Sequence, residues 1–194
     1  PYLGLQLSPV LMKRLLAVHV LALLALPATA QHDMGHAAPP PETPMPLYPK
    51  ALGPFTRPIS TDNAEARAYF DQGFQMMYAF AKEDAARSFR EAWQRDPACA
   101  ICYWGEAWAW GSYLNGPMTA QEAPRAYAAI QRAREKMATA TPLEKDLIEA
   151  MTVRYVEDFD PATRAVQDTA YAEAMRVLYE KYPDDLEVGT LYAD

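Results

Sequence analysis

Two cysteines three residues apart, Cys99 and Cys102, open the stretch CAICYWGEAWAW and have a spacing that could support chemistry. Haem attachment requires histidine directly after the second cysteine, where this chain has Tyr103. Structural zinc requires four ligands, but the sequence has no second cysteine pair. A thioredoxin-type motif follows a strand, whereas a helix is predicted before Cys99. Two interpretations remain: a short disulfide in an oxidising compartment, or reduced thiols packed as small apolar side chains. Either role is structural.

Histidine is the second residue type that limits the chemistry. The three histidines are His19, His32 and His36, and none of them lies beyond residue 36. Catalysis by Ser-His-Asp or Cys-His groups, and zinc bound by histidine, are therefore excluded from the rest of the chain. His32, Met34 and His36 form a candidate copper-binding set, because imidazole with thioether suits Cu(I). The alternative is a short flexible cluster without a function, and no other cofactor is predicted.

The N-terminal part predicts export. Residues 12–30 read as a signal peptide: basic Lys13 and Arg14, an apolar run, and the A-x-A cleavage site that ends at Ala30. Residues 1–11 are expected to be upstream sequence from a mistaken start. The apolar run is too short for an ordinary transmembrane helix, so no stable membrane insertion is expected after cleavage. We predict a periplasmic or secreted protein.

The chain after the signal peptide is acidic and begins with a proline-rich segment. Two of the 18 basic residues lie in the signal peptide and no acidic ones do, so 16 remain against 25 acidic residues, a net charge of −9. This acidic balance argues against nucleic acid as a partner. Residues 31–60 hold eight of the 17 prolines and are predicted to form a disordered, extended linker.

Apolar residues at helical spacing then continue to the end, with almost no strand-like alternation, so the fold class is predicted as all-α. Asp62 with Glu65 predicts the start of the first helix. Thr141, Pro142 and Glu144 form a predicted capping box. Further helices are predicted over 124–137, 142–156 and 163–182, and another from residue 186 onward.

A repeat pattern lies within these helices. In a frame of about 34 residues that begins before Gly73, Ala85, Phe89, Ala92 and Pro97 occupy the small, aromatic, small and proline positions of the tetratricopeptide (TPR) pattern. Small residues let two helices approach, the aromatic side chain wedges between them, and proline ends the second helix. We therefore predict that residues 61–194 form a TPR-like solenoid of helical hairpins, truncated at its C-terminal end.

One long stretch also resembles a known family. Residues 70–118, FDQGFQMMYAFAKEDAARSFREAWQRDPACAICYWGEAWAWGSYLNGPM, resemble exported bacterial TPR proteins in their F-D-x-G opening, their S-F-R-E-A helix and their D-P-x-C-A-x-C-Y-W-G junction. The resemblance implies a helical solenoid with several further repeats after residue 194. The family has no established reaction, so the resemblance implies a fold and no chemistry.

The first helix of each TPR hairpin lines the concave face, which predicts where a partner would bind. The candidate partner-binding residues are Arg67, Phe70, Phe74, Met77, Tyr78, Trp104 and Trp108. An aromatic ladder suits an apolar or amphipathic segment of another polypeptide. The alternative is that these aromatic residues belong to the core. We predict a binding scaffold that is not an enzyme. The alternatives are copper handling by the tail, and an enzyme whose site lies after residue 194.

Overall fold

The computed structural model describes Pro40 and residues 42–113 and 116–193. In these ranges the regular structure is helical, which confirms the predicted all-α class. The helices are α1 (Ala64–Tyr78), α2 (Lys82–Arg95), α3 (Ala100–Trp110), α4 (Ala123–Lys136), α5 (Pro142–Thr152), α6 (Arg164–Lys181) and α7 (Leu186–Ala193), with 3-10 turns at Met137–Thr139 and Pro161–Thr163. The predicted signal peptide and the candidate copper ligands His32, Met34 and His36 lie outside the described residues.

The α1–α2 hairpin has well-defined ends. The N-cap of α1 is Asn63 instead of the predicted Asp62, and its side-chain oxygen accepts from the backbone N–H of Ala66. At the C-terminal end, the N–H of Ala81 donates to the carbonyl of Met76 and that of Phe80 to Met77. This is a Schellman motif, which places Phe80 in the left-handed region at φ 60°. Glycine usually occupies such a position.

Phe89 of α2 joins the first three helices. Its ring is fully buried between Gly73 of α1 and Gly105 of α3. A Cβ atom added at Gly73 would lie 2.8 Å from this ring, and one at Gly105 would lie 2.4 Å from it. The two glycines therefore create the space that the aromatic wedge fills.

Helix α3 is the centre of the core. All eleven of its residues are buried, because α3 contacts α1, α2, α4 and α5. Its N-cap, Cys99, is joined to Cys102 by a disulfide bond. The only acid in this helix, Glu106, is 4 % exposed and accepts from Arg90 and from the Nε1 groups of Trp93 and Trp110. Three donors around a carboxylate offset the cost of burying it.

The later helices pack less completely. Helix α5 begins with the predicted capping box of Thr141 and Glu144, but it ends at Thr152, four residues before the predicted end. Helices α6 and α7 lie close to the predicted limits. Only four of the 18 residues of α6 are buried, namely Arg164, Tyr171, Met175 and Leu178.

Residues 42–60, here called the strap, differ from the predicted disordered linker. They form no helix or strand, but they are packed against α1 and α2. Met45 is 4 % exposed, its N–H donates to Glu91, and its carbonyl accepts from Tyr69. Arg87 donates to the carbonyls of residues 43 and 44, and Gln72 to that of residue 46. The prediction failed here because the helices supply side-chain partners for the strap backbone, and these partners lie 24 to 46 residues further along the chain.

Candidate functional site: an aromatic face closed by the strap and α7

The structure brings most of the predicted partner-binding residues together, but it buries them. The side chains of Phe70, Phe74 and Trp104 are at most 1 % exposed, and those of Trp108 and Met77 are 5 % and 8 % exposed. In the described chain these five residues therefore belong to the core, the stated alternative to an open groove, and their role in binding a partner stays a prediction. Tyr78 is the exception among the ring residues, with 41 % exposure.

Arg67 lies apart from the aromatic residues. Its guanidinium donates to the carbonyl of Thr61, 2.6 Å away, and lines a shallow polar cleft with Arg95 and Asp96. Its assignment to the same binding face is wrong. The repeat frame placed it correctly on α1, but the cleft at the start of α1 has no aromatic lining.

Phe74 is the centre of the buried aromatic residues. Its ring centroid lies 4.9 Å from that of Trp108, 5.7 Å from that of Phe70 and 5.6 Å from that of Tyr78. Trp104 stacks at 6.5 Å. Offset and edge contacts at these distances stabilise aromatic pairs beyond the effect of the area they bury. We call Phe70, Phe74, Tyr78, Trp104 and Trp108 the aromatic cluster.

Two parts of the chain cover the aromatic cluster. From the strap, Phe55 stacks on Phe74 at 5.5 Å and meets Tyr78 edge-on at 6.4 Å. From the C-terminal side, Glu187 of α7 accepts a hydrogen bond from the Tyr78 hydroxyl. Burial, and then Glu187, raise the pKa of the Tyr78 phenol far above its ordinary value, so this hydroxyl remains a donor at physiological pH. Sequence periodicity could not show either cover, since both come from outside the hairpins that carry the cluster.

An apolar cavity lies between α7 and the face formed by α1 and α3. Its volume is about 270 Å³. The main lining residues are Met77, Tyr78, Phe80, Trp108, Tyr113 and Leu191. The candidate residues Met77, Tyr78 and Trp108 therefore do reach a site, although a smaller one than the predicted groove. Phe80, Tyr113 and Leu191 were missed; an aromatic residue in a turn between two helices was the available signal for Phe80.

Phe80 and Tyr113 form the rim of this cavity. Phe80 is 58 % exposed, the largest exposure of any aromatic side chain in the described ranges, and its ring lies 6.3 Å from that of Tyr113. The Lys82 ammonium lies 4.6 Å from the centre of the Tyr113 ring and 3.4 Å from Glu122. Burial lowers the pKa of Lys82, although Glu122 opposes that shift.

The outer side of the rim is acidic. Beyond Phe80, an open depression of about 460 Å³ is lined by Lys82 together with Glu83, Asp84 and Glu122. Glu122 is paired with Lys82 and Asp84 with Arg87, so Glu83 leaves one excess negative charge beside the apolar cavity. A segment that brings an apolar side chain and a neighbouring lysine or arginine would match both properties.

The two cysteines are not in this site. Cys99 and Cys102 are bonded to each other and have no exposed surface, so their disulfide is a packed part of the start of α3. In the described ranges no group of three or more His, Cys, Asp or Glu residues is arranged to hold a metal ion. Copper binding by His32, Met34 and His36 stays a prediction.

Comparison with models of protein families, with curated proteins and with solved structures finds no match. Within the described ranges, none of the helices combines the length and the apolar character needed to cross a bilayer. The assignment of function therefore rests on the geometry of the site.

Proposed function

We propose that this chain is an exported, TPR-like polypeptide-binding module, and that the cavity beside Phe80 takes an apolar side chain of its partner. The single observation that carries the proposal is the rim. An aromatic side chain stands 58 % exposed at the mouth of an apolar cavity, in a backbone conformation that L-residues adopt at a cost. Such an outlier points towards function because folding alone favours glycine there.

The fold supports the TPR-like part of this proposal. Consecutive helix pairs, α1 with α2 and α3 with α4, make the most extensive helix–helix contacts among the described residues. Phe89 wedges between α1 and α3 at the aromatic position of the repeat pattern. The disulfide between Cys99 and Cys102 supports export, since such bonds persist in oxidising compartments.

The charge beside the cavity further defines which residues the partner segment should carry. The acidic side of the rim favours a segment in which lysine or arginine neighbours the apolar residue. A cavity of about 270 Å³ accommodates a single large side chain, and such anchors dominate the affinity of peptide interfaces.

The test is selection from a phage-displayed library of seven-residue peptides on the full chain. We expect enriched peptides to share an aromatic or large aliphatic residue next to a basic one. Thr190→Trp places an indole over the cavity from an exposed position on α7 and should weaken binding at least tenfold. Thr169→Trp is the matched control, because Thr169 is also exposed and also bonds the carbonyl four residues earlier, but it lies on α6 away from the cavity.

Retention of the selected peptides by Thr190→Trp at parental affinity would contradict the cavity as the site. The absence of any enriched peptide would contradict the proposed binding function itself. Loss on both variants would show a general effect of the added tryptophan and also count against the cavity.

A further inference from the structure

Residues 54–58 of the strap bind the aromatic cluster through alternate side chains, as a separate peptide would. Phe55 stacks on Phe74 with centroids 5.5 Å apart, and the Arg57 guanidinium lies 6.0 Å from the centre of the same ring. Pro54, Thr56 and Pro58, which alternate with them, are exposed. An extended segment that buries every second side chain is a common mode of peptide recognition.

Polar groups of α1 and of the turn before α7 complete this contact. Gln75 donates to the carbonyl of Phe55 at 3.2 Å, and Asp71 accepts from the N–H of Arg57 at 2.9 Å. The Arg57 guanidinium makes a two-point contact with Asp185, with N–O distances of 3.2 Å and 3.0 Å. Bidentate pairs of this kind recognise arginine specifically. Two carboxylates from distant parts of the chain, residues 71 and 185, therefore converge on one arginine.

The rest of the strap is attached independently. Residues 43–48 are fixed on α1 and α2 by Glu91, Arg87, Tyr69 and Gln72 and by the buried side chain of Met45. Residues 50–54, which connect the two attachments, are all exposed, and Gly53 has φ 95°. On the other side of the segment, the N–H of Ser60 donates to Glu144 of α5 at 2.8 Å and Ile59 packs against the core. Residues 54–58 can therefore leave the aromatic cluster as a loop that stays held at both ends.

We infer that residues 54–58 are an intramolecular ligand that occupies part of the recognition surface, and that the partner carries the same chemistry. The partner segment is extended, contains proline, and has an aromatic residue followed two positions later by arginine. This inference rests on the proposed function, since Tyr78 both contacts Phe55 and lines the cavity. A bound partner displaces residues 54–58 and extends from their position into the cavity.

The covalent connection of residues 54–58 to the helices determines how strongly they compete with an external peptide. A segment tethered this closely to its binding face competes at an effective concentration on the order of millimolar. A free ligand for the same face has its apparent affinity reduced by the fraction of chains in which that face is open. Weakening the intramolecular contacts should therefore strengthen the binding of an external peptide of the same sequence.

The experiment measures binding of the labelled peptide LGPFTRPIS, which reproduces residues 52–60, to the full chain by fluorescence anisotropy. We expect the double variant Phe55→Ala, Arg57→Ala to bind this peptide at least tenfold more tightly than the parent chain. A peptide with alanine in place of its phenylalanine is the specificity control and should not bind. Circular dichroism checks that the helices are retained.

The single variant Arg57→Gln provides a second, milder test if the double variant loses helicity. It removes the contact with Asp185 but keeps Phe55 on Phe74, so we expect a gain in peptide affinity of about threefold. Equal binding to the parent and to the folded variants would overturn the inference, because the peptide would then bind elsewhere.

The inference and the proposed function can fail separately. If the peptide binds no folded variant while phage-selected peptides still need an open cavity beside Thr190, the module binds polypeptides but residues 54–58 are not a ligand mimic. If neither kind of peptide binds, both fail.

Discussion

Helices α3 and α6 differ in how completely they are buried and in how their charged side chains are paired. Every residue of α3 is buried, its acid accepts three hydrogen bonds, and a disulfide closes its first turn. Helix α6 buries four residues of 18, and its ion pairs, such as Arg176 with Glu173 and Glu180, lie on the exposed side.

This difference separates a rigid half from a weakly held half of the site. Helices α1 and α3 supply the aromatic cluster, whereas α7, which follows α6, supplies one cover of it. Local opening concentrates where few apolar contacts exist. We therefore expect α7 and strap residues 54–58 to detach locally while helices α1–α3 stay folded.

The largest difference in stability between the two halves is expected when one glycine in each half is replaced by alanine. In Gly105→Ala the new methyl group would lie 2.4 Å from the buried Phe89 ring, which has no space to move. We expect a loss of about 3 kcal/mol in the free energy of unfolding, measured by urea denaturation. Gly189→Ala in α7 meets only Tyr179 at 3.4 Å and should be neutral or stabilising by up to about 1 kcal/mol. Equal losses in both variants would contradict the comparison.

A smaller difference is expected from neutralising one glutamate in each half. Glu106→Gln removes the buried charge that Arg90, Trp93 and Trp110 contact, and we expect a loss of about 2 kcal/mol in the same denaturation assay. Glu173→Gln on α6 weakens an exposed pair with Arg176, which solvent screens, and should leave the urea midpoint unchanged within error. A loss of stability from Glu173→Gln as large as that from Glu106→Gln would contradict the assignment of α1–α3 as the rigid half.

Low pH should weaken the contact between Arg57 of the strap and Asp185, which directly precedes α7. Burial pushes the pKa of Asp185 upward, but Arg57 together with the backbone N–H groups of Val188 and Glu187 outweighs it, so the pKa in the folded chain lies below the ordinary value of 3.8. A depressed pKa means that the pair contributes stability above pH 3.8 and loses it as the pH falls through the folded-state pKa.

The measurement compares the melting temperatures of the parent and of Asp185→Asn across pH. We expect Asp185→Asn to cost about 1 kcal/mol near pH 7, because the pair is partly exposed. The two melting curves should converge as the pH falls through the folded-state pKa of Asp185, where the parent carboxylate becomes protonated as well. A constant difference down to about pH 2 would assign the effect of the variant to packing instead of charge.

The smallest expected effect concerns Phe80 and separates stability from binding. Phe80→Gly removes the cost of the left-handed backbone, and we expect a gain in stability of up to about 1 kcal/mol. The same variant lacks the exposed ring at the rim, so selected peptides should bind it at least threefold more weakly. A gain in stability with unchanged peptide binding would remove Phe80 from the recognition surface.

Much of the local structure was predictable. The periodic apolar positions gave helices α4, α6 and α7 to within a residue or two, and the capping box at Thr141 marked the start of α5. The wedge position of Phe89 followed from the repeat pattern, because small residues at Gly73 and Ala85 signal close helix contact. These features depend on residues near each other in the chain.

The candidate site was predicted only in part. Phe74 and Trp108 were placed on one face, as the structure shows, but their exposure depends on Phe55 and on α7. Phe55 lies in a stretch whose proline content favours a linker, and nothing local indicates that Gln75 and Asp71 receive its backbone.

The sequence by itself thus determined the helices, the wedge and the group of aromatic residues that meet on the inner side of α1 and α3. Only the tertiary structure decided that this face is closed and that a smaller apolar cavity remains beside Phe80. The physical reason is range: helical periodicity and capping act over a few residues, whereas the closure joins Arg57 to Asp185, which are 128 residues apart. Such a contact depends on how all the intervening helices pack.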